Sequence, residues 1–286
     1  MINSAATLNS MVCKLLDGVD NVSNYIDDIC VHTNTWEEHL DTLDKVFKRI
    51  KDANLHVRPS KCFLGQTRVD FLGHNIGGGE VSLQEYNVEK VRQAERPATK
   101  KQVRSFLGLI GFYRNYIPNF STIAAPLTDC TKKGSPSKVV WGDAQERAYV
   151  TLKQHLICYP VLKLPDMTKP FVLRTDASDV GVGAVLMQEH GGELFPVAYA
   201  SKKLSKRERA YSTMERECLA LVWAVQKFQL YLYGRAFDLQ TDHQPLVYLN
   251  RAKLTNARIM RWALFLQSYS IRIEAIKGSV NVGADY

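Results

Sequence analysis

The chain has 286 residues, 45% of them hydrophobic, and its Lys and Arg residues outnumber its Asp and Glu residues to give a net charge of +8. This length holds about two or three domains with buried cores, and the positive charge suits a polyanionic partner, although many basic proteins bind no nucleic acid. The six cysteines are scattered without a C-x-x-C pair, and no signal-peptide pattern or run of about 20 apolar residues occurs. Zinc sites, disulfide frameworks and membrane spans are thus disfavoured, and we expect a soluble intracellular protein.

The first 54 residues predict a helix, a hairpin and a second helix. Apolar residues recur at helical spacing over 1–18 and again over 36–54. Between them, Tyr25-Ile26-Asp27-Asp28 lies between short apolar segments, which places the two acids at the tip of a hairpin. Adjacent Asp residues there are also explained by a solvated turn, because this two-residue signal is common.

The middle of the chain predicts two short strands followed by helices. The strands are expected over 61–64 and 69–76, and helices over 88–94, 100–116 and 144–156. The helical segment contains Lys101, Arg104 and Arg114, which suit contacts to phosphates but equally suit a solvated basic face. Prolines at 160, 165 and 170 predict a domain boundary near Leu164.

A strand with an acid at its end comes next. Alternating residues from Phe171 to Thr175 predict a strand that ends at Asp176, and the apolar run after Asp179 predicts its hairpin partner. Gly181 and Gly183 would let a bulky polymer approach the sheet beside this carboxylate.

A second acid lies on a predicted helix. Ser205 to Glu208 reads as a capping box that opens this helix, and Glu217 falls on its apolar face. Glu215 points almost the opposite way and is expected to be an ordinary solvated acid. Lys202 and Lys203 begin the densest basic cluster, which suits phosphate binding or simple solvation of the helix start.

Two further acids complete a set of four. Asp242 follows an alternating strand that starts at Phe237, and Asp285 follows a helix over 255–267 and a strand over 269–275. Gathered in one pocket, such acids repel one another and gain higher pKa values, and divalent cations relieve this. Taken singly, a strand-end Asp is often a turn residue and a helical Glu is usually a surface acid. The ordered set of four predicts a Mg²⁺ or Mn²⁺ site.

Three segments then resemble a known family. Thr175-Asp176-Ala177-Ser178, the segment YSTMERECLA over 211–220 and Thr241-Asp242-His243 resemble the ribonuclease H domain of gypsy-class LTR retrotransposon Pol polyproteins. The resemblance implies that Asp176, Glu217, Asp242 and Asp285 bind two magnesium ions that cleave RNA in an RNA–DNA hybrid. Residues 282–285 resemble the segment that carries the family's fourth acid, although Gly283 stands where a small apolar residue is more usual. The His that often precedes the fourth acid is absent, since the last histidine is His243.

The earlier part of the chain resembles the reverse transcriptase of the same polyproteins. Tyr25-Ile26-Asp27-Asp28 resembles the palm motif whose acids hold the metals for DNA synthesis, with another Asp required upstream of Met1. The segment around Gly73 and His74 resembles the hairpin that holds the primer end, and residues 103–114 resemble the thumb helices along the template–primer duplex. The residues assigned to nucleic acid are Tyr25, Gly73, His74, Lys101, Arg104, Arg114, Lys202 and Lys203.

We therefore expect an α/β chain that is an internal part of a Pol polyprotein. It would comprise the C-terminal part of a palm (1–88), a helical thumb and connection (89–164) and a ribonuclease H-like mixed five-stranded sheet with flanking helices, clipped at its C-terminus (165–286). The expected partners are an RNA–DNA hybrid, a template–primer duplex and, for the full-length enzyme, deoxynucleoside triphosphates; two Mg²⁺ or Mn²⁺ ions would serve each centre. Polymerisation by this chain alone is not expected. A catalytically inactive nucleic-acid-binding remnant is the alternative, and an unrelated basic structural protein is a third reading.

Overall fold

The structure is a computed structural model that describes residues 4–158, 160–242 and 257–276. The chain divides into two compact units, residues 1–72 and 73–286. Among the described helices, none is both long enough and apolar enough to cross a membrane.

The first unit packs two helices against a small hairpin. Its elements are α1 (Ser4–Leu16), β1 (Val22–Tyr25), β2 (Asp28–Val31), α2 (Trp36–Asp52) and β3 (Arg68–Phe71). Its core contains Val12, Leu16, Val46 and Ile50, as their helical spacing predicts.

The strand predicted over 61–64 is wrong. Pro59–Lys61 forms a 3₁₀ turn instead, with the proline at its first position and the Cys62 N–H bonded to the Pro59 carbonyl at 3.0 Å. Proline favours the first turn of a helix because its φ angle is fixed and its missing N–H is not needed there.

The second unit begins with a mainly helical region. Strands β4 (His74–Gly77), β5 (Glu80–Leu83) and β6 (Val161–Lys163) pair in antiparallel order. The helices are α3 (Glu85–Gln93), α4 (Lys100–Phe112), α5 (Phe120–Ile123), α6 (Ala125–Asp129) and α7 (Asp143–Ile157). The helix predicted over 100–116 ends at Phe112 and is followed by a separate 3₁₀ turn, Arg114–Tyr116.

The rest of the second unit is a mixed five-stranded sheet with helices. Its strands are β7 (Phe171–Ala177), β8 (Gly181–His190), β9 (Glu193–Lys203), β10 (Ala236–Thr241) and β11 (Ser270–Ala275), in the order β11-β10-β7-β8-β9. The described helices are α8 (Thr213–Lys227), α9 (Gln229–Leu232) and α10 (Ala257–Leu266). Strands β7, β8 and β9 are antiparallel neighbours, whereas β10 runs parallel to β7 and β11. The predicted α/β fold with a mixed five-stranded sheet is confirmed.

The two faces of this sheet have different neighbours. One face packs Phe171 and Leu173 of β7 with Leu221 and Val225 of α8. On the other face lies a smaller cluster made of Val172, Val185 and Met187, with Tyr199 packed against it. Tyr199 also packs against the core of the helical region. Strand alternation explains this division, because successive side chains point to opposite faces.

Gln188 fixes the loop that leads into the sheet. Its side chain is fully buried in β8; Oε1 accepts from the Asp166 N–H at 2.8 Å, and Nε2 donates to the Asp166 carbonyl at 2.7 Å and the Lys169 carbonyl at 3.2 Å. One amide therefore satisfies three backbone groups before Phe171.

We expect Gln188→Leu to lower the free energy of unfolding by about 2–3 kcal/mol, because a side chain of similar size leaves those buried groups without partners. Urea denaturation followed by circular dichroism measures the change. The matched control is Gln226→Leu at an exposed position of α8, which we expect to change stability by less than about 0.5 kcal/mol. Equal effects of the two variants would contradict this role of Gln188.

Candidate functional site

Asp176 is the next-to-last residue of β7, paired with Gly183 of β8. The strand thus runs one residue further than predicted, because the turn begins at Ser178, whose Oγ accepts from the Val180 and Gly181 N–H groups at 3.1 and 3.0 Å. Gly181 and Gly183 are buried, so the open approach predicted beside them is wrong for this structure.

Asp242 follows β10, the parallel neighbour of β7. The register pairs Phe237 with Phe171 and Gln240 with Arg174. Continuing it by two residues brings Asp242 level with Asp176. Two acids that are far apart in sequence therefore meet at the same end of the sheet.

The helix that carries Glu217 begins later than predicted. Ser205 and Glu208 do form reciprocal capping bonds of 2.7 and 3.3 Å, but these close only the 3₁₀ turn Glu208–Ala210. Tyr211 and Ser212 then have extended backbone, and Ser212 caps α8 through a second capping box with Glu215. Two nearby sequences fit the same motif, and the one next to the longer apolar run opens the helix.

Glu217 is buried on α8 with 5% of its surface exposed. Burial raises the pKa of its carboxyl group to about 8, with further contributions from the negative charges of Asp176 and Asp242. A hydrogen bond from the Ala177 backbone N–H and the charge of Arg216 oppose this rise. The predicted position of Glu217 on the inward face of α8, near both strand acids, agrees with these interactions.

One oxygen of Glu217 lacks a partner within the described residues. Its Oε2 atom is buried and accepts no hydrogen bond from them. A buried carboxylate oxygen without a donor is costly, since its hydration has been lost without replacement. Such an oxygen suits a ligand that enters the site.

Glu215 is not the solvated acid that helical geometry predicts. Its side chain is only 13% exposed, and it accepts from the Ser212 N–H at 3.0 Å and from Arg258 Nη1 of α10 at 2.7 Å. Glu215 therefore fixes the start of α8 and joins that start to α10. The prediction failed because Arg258 of the neighbouring helix α10 reaches the Glu215 carboxylate, a contact that the periodicity of α8 alone does not show.

The donor set fits a hard divalent cation by its chemistry. Asp176, Glu217 and Asp242 offer carboxylate oxygens, which Mg²⁺ and Mn²⁺ prefer, and the unpaired Oε2 atom of Glu217 is part of that set. As the side chains stand in residues 4–158, 160–242 and 257–276, no three acidic, His or Cys groups are arranged to hold a metal. Asp285, the fourth predicted acid, lies outside the described residues.

Known families and proteins are similar to this chain over most of its length. Residues 1–76 match the family model of reverse transcriptase (RNA-dependent DNA polymerase), and residues 166–269 match that of the RNase H-like domain found in reverse transcriptase. The Retrovirus-related Pol polyprotein from transposon 297 of Drosophila melanogaster is 39% identical over 265 residues, and the Transposon Tf2-3 polyprotein of Schizosaccharomyces pombe is 36% identical over 266. The chain belongs to the Pol polyproteins of LTR retrotransposons. Each alignment covers 91% of this chain, but only 24% and 20% of the relatives' own lengths.

Solved reverse transcriptases share the fold of this Pol chain. A foamy viral protease-reverse transcriptase in complex with double-stranded DNA has a TM-score of 0.84 at 28% identity, covering 97% of this chain and 50% of that one. The foamy viral enzyme in complex with an RNA/DNA hybrid has a TM-score of 0.79 at 28% identity, covering 96% and 38%.

Asp27 and Asp28 lie at the tip of the β1–β2 hairpin, as predicted. Asp28 pairs with Tyr25, and Ile26 and Asp27 form the two-residue turn. Both acids are exposed, and 53% of the Tyr25 surface is exposed. Ile26 has a φ angle of +58°, and its N–H donates to Asn9 Oδ1 at 3.0 Å. Positive φ is strained for a β-branched residue, so Asn9 holds the turn in a conformation that the sequence alone disfavours.

Gly73 and His74 lie against aromatic side chains of α4 and the turn after it. Tyr113 Oη donates to the Gly73 carbonyl at 3.1 Å, and Tyr116 Oη lies 2.9 Å from His74 Nδ1. The His74 ring stacks on Phe112, with 5.6 Å between ring centroids, and burial lowers the pKa of the imidazole. His74 thereby has an evident packing role, and its contact with nucleic acid stays a prediction.

The basic residues assigned to nucleic acid differ in their surroundings. Lys101 is exposed, and Arg104 is exposed while donating to the Thr131 carbonyl at 3.0 Å. Lys202 forms an ion pair with Glu208 at 2.6 Å, and Lys203 forms one with Asp129 at 2.8 Å. These two lysines therefore form ion pairs within the chain. The local sequence did not predict the pair between Lys203 and Asp129.

Arg114 is engaged as well, because its Nη2 atom donates to the Ser201 carbonyl at 2.6 Å. This bond holds Arg114 against β9, and its contact with a phosphate stays a prediction. Sequence reasoning also missed Arg216, the residue immediately before Glu217 in the chain. Arg216 forms an ion pair with Asp179. The only sequence signal for Arg216 was its position next to Glu217 in the YSTMERECLA segment.

Proposed function

We propose that the RNase H-like part of this chain cleaves the RNA strand of an RNA–DNA hybrid in a divalent-metal-dependent reaction. The observation that carries the proposal is the buried Glu217, whose raised pKa arises beside Asp176 and Asp242 and whose Oε2 atom lacks a partner among the described residues. The foamy viral enzyme of the same fold was solved with an RNA/DNA hybrid, which supports a duplex as the partner.

Asp176, Glu217 and Asp242 would hold the cation, with Asp285 as the predicted fourth acid. A bound Mg²⁺ or Mn²⁺ pair supplies a nucleophilic water and charge stabilisation for phosphodiester cleavage. The Ala177 N–H orients the Glu217 carboxylate, and at neutral pH without cation the carboxyl group holds its proton. A bound cation would displace this proton, because its positive charge offsets the repulsion among the ionised acids.

The reverse-transcriptase part is proposed to contribute RNA-directed DNA synthesis in the longer polyprotein. Asp27 and Asp28 would hold the metals there, Tyr25, Gly73 and His74 would contact the primer end, and deoxynucleoside triphosphates would be the substrates. The exposed Lys101 and Arg104 of α4 remain the best candidates for phosphates of the template–primer duplex. The domain bounds 1–88, 89–164 and 165–286 stay predictions.

Cleavage of an RNA–DNA hybrid labelled on its RNA strand tests the nuclease proposal. We expect the purified chain to produce RNA fragments with Mg²⁺ or Mn²⁺ and none with excess chelator, because the carboxylates alone repel the phosphate backbone. The matched substrates are a DNA duplex and an RNA duplex of the same sequence. Metal-independent binding of the hybrid without any cleavage would contradict the nuclease and support the binding-only alternative.

A further inference from the structure

Ser201 of strand β9 is hydrogen-bonded to the helical region. Its side chain is 2% exposed, and Oγ accepts from the Ser121 N–H of α5 at 2.8 Å. Its carbonyl accepts from Ser121 Oγ at 2.8 Å and from Arg114 Nη2 at 2.6 Å. We call Ser201, Ser121 and Arg114 the Ser201 latch.

The latch lies in the same cross-strand row as Asp176. The register pairs Asp176 with Gly183 and Gly183 with Ser201. Because neighbouring strands lie about 4.8 Å apart, the backbones of Asp176 and Ser201 are about 10 Å apart. Residues paired across antiparallel strands point to the same face, so Asp176 and Ser201 share a face of the sheet.

Other contacts reinforce this join. Tyr199, two residues before Ser201, packs against the core of the helical region, and Lys203, two residues after it, pairs with Asp129 of α6 at 2.8 Å. The three alternate residues of β9 therefore all face α5, α6 and their neighbours. Arg114 is itself held, with its guanidinium 5.4 Å from the centre of the Phe120 ring.

We propose that the Ser201 latch is a positioning device. It fixes the position of the α4–α5 region relative to the end of the sheet that carries Asp176. The inference rests on the proposed function. In a duplex that lies along α4, the relative position of α4 and Asp176 would determine which phosphate reaches Asp176. Arg114 and Ser121 hold β9 from the helical side, and the row from Ser201 to Asp176 carries that position across the sheet.

The position of the cut in a long hybrid with one recessed end tests the latch. We expect Ser201→Ala to spread the cuts over neighbouring phosphates and to lower the rate at the wild-type position by about tenfold, because small misplacements of reacting groups lower rates steeply. Cutting of a hybrid too short to reach α4 should keep its wild-type rate. Arg114→Gln removes a different bond of the latch and should spread the cuts in the same way.

Thr122→Val is the matched control on the same helix. Thr122 Oγ1 is buried and has no hydrogen-bond partner in the described part of the chain, so its removal leaves the latch intact. Unchanged cut positions in both Ser201→Ala and Arg114→Gln, or the same spreading in Thr122→Val, would overturn the proposal.

Hydrogen exchange tests the latch independently of the proposed nuclease activity. Ser201→Ala removes the acceptor of the Ser121 amide, and we expect faster exchange of that amide and of α5. If the wild-type chain cuts no hybrid, the proposed function fails, and the exchange then decides on the latch: unchanged protection in α5 would contradict it.

Discussion

We expect Asp176→Asn to lower the rate of RNA cleavage in an RNA–DNA hybrid by at least about 100-fold. The substitution keeps the size of the side chain but removes a negative charge from the end of β7, where Glu217 and Asp242 supply the remaining described acids. A neutral amide is a poorer ligand for Mg²⁺ and stabilises less positive charge. Single-turnover cleavage at saturating enzyme measures the loss without interference from product release.

The matched control is Asp179→Asn in the turn three residues later. The Asp179 side chain is 89% exposed and forms an ion pair with Arg216, so its loss should change the cleavage rate by less than about threefold. The thermal unfolding midpoint of both variants shows whether each is folded. A folded Asp176→Asn variant that cleaves at the wild-type rate would contradict the assignment of the site.

Glu217→Gln should stabilise the metal-free chain at pH 8.5 and leave it almost unchanged at pH 5. The pKa of Glu217 is raised from 4.5 to about 8, so the unfolded chain loses this proton as the pH rises through 4.5 while the folded chain must keep it. The free energy of unfolding then falls as the pH rises towards 8, by up to about 1.4 kcal/mol per pH unit. Glutamine removes this penalty because it does not ionise.

Thermal unfolding in excess chelator at the two pH values measures the effect, and we expect a gain of about 2 kcal/mol or more at pH 8.5. Added Mg²⁺ should stabilise the wild type at pH 8.5 and stabilise the variant less. Glu189→Gln at an exposed position of β8 is the control and should be neutral. A wild type and a Glu217→Gln variant with parallel stability profiles from pH 5 to 8.5 would disprove the raised pKa of Glu217.

Local periodicity was sufficient to predict individual strands of the sheet and the inward direction of Glu217. Alternation gave β7 and β10, and 3.6-residue spacing placed Glu217 with Leu221 and Val225 on one face of α8. The resemblance to Pol polyproteins then added what spacing cannot show, namely that Asp176, Glu217 and Asp242 act together on metal ions. That β7 and β10 are parallel neighbours came from the structure.

Partners that are distant in sequence could not be predicted in this way. Glu215 meets Arg258 of α10, Lys203 meets Asp129 of α6 and Arg114 meets Ser201 of β9, each pair separated by tens of residues. Each residue looked solvated because only its own helix or strand was considered. The predicted start of α8 was wrong for a different reason, since two capping boxes lie seven residues apart and the second, next to the longer apolar run, opens the helix.

The position of β9 at one side of the sheet also bears on how the protein avoids self-association. A terminal strand exposes backbone donors and acceptors that can pair with another chain, and β9, at 11 residues, is the longest strand described here. Arg114 and Ser121 both donate to the Ser201 carbonyl, so the helical region covers this edge at Ser201. An excised RNase H-like domain would lose that cover and would tend to aggregate through β9, whereas the chain that retains its helical region would stay dispersed.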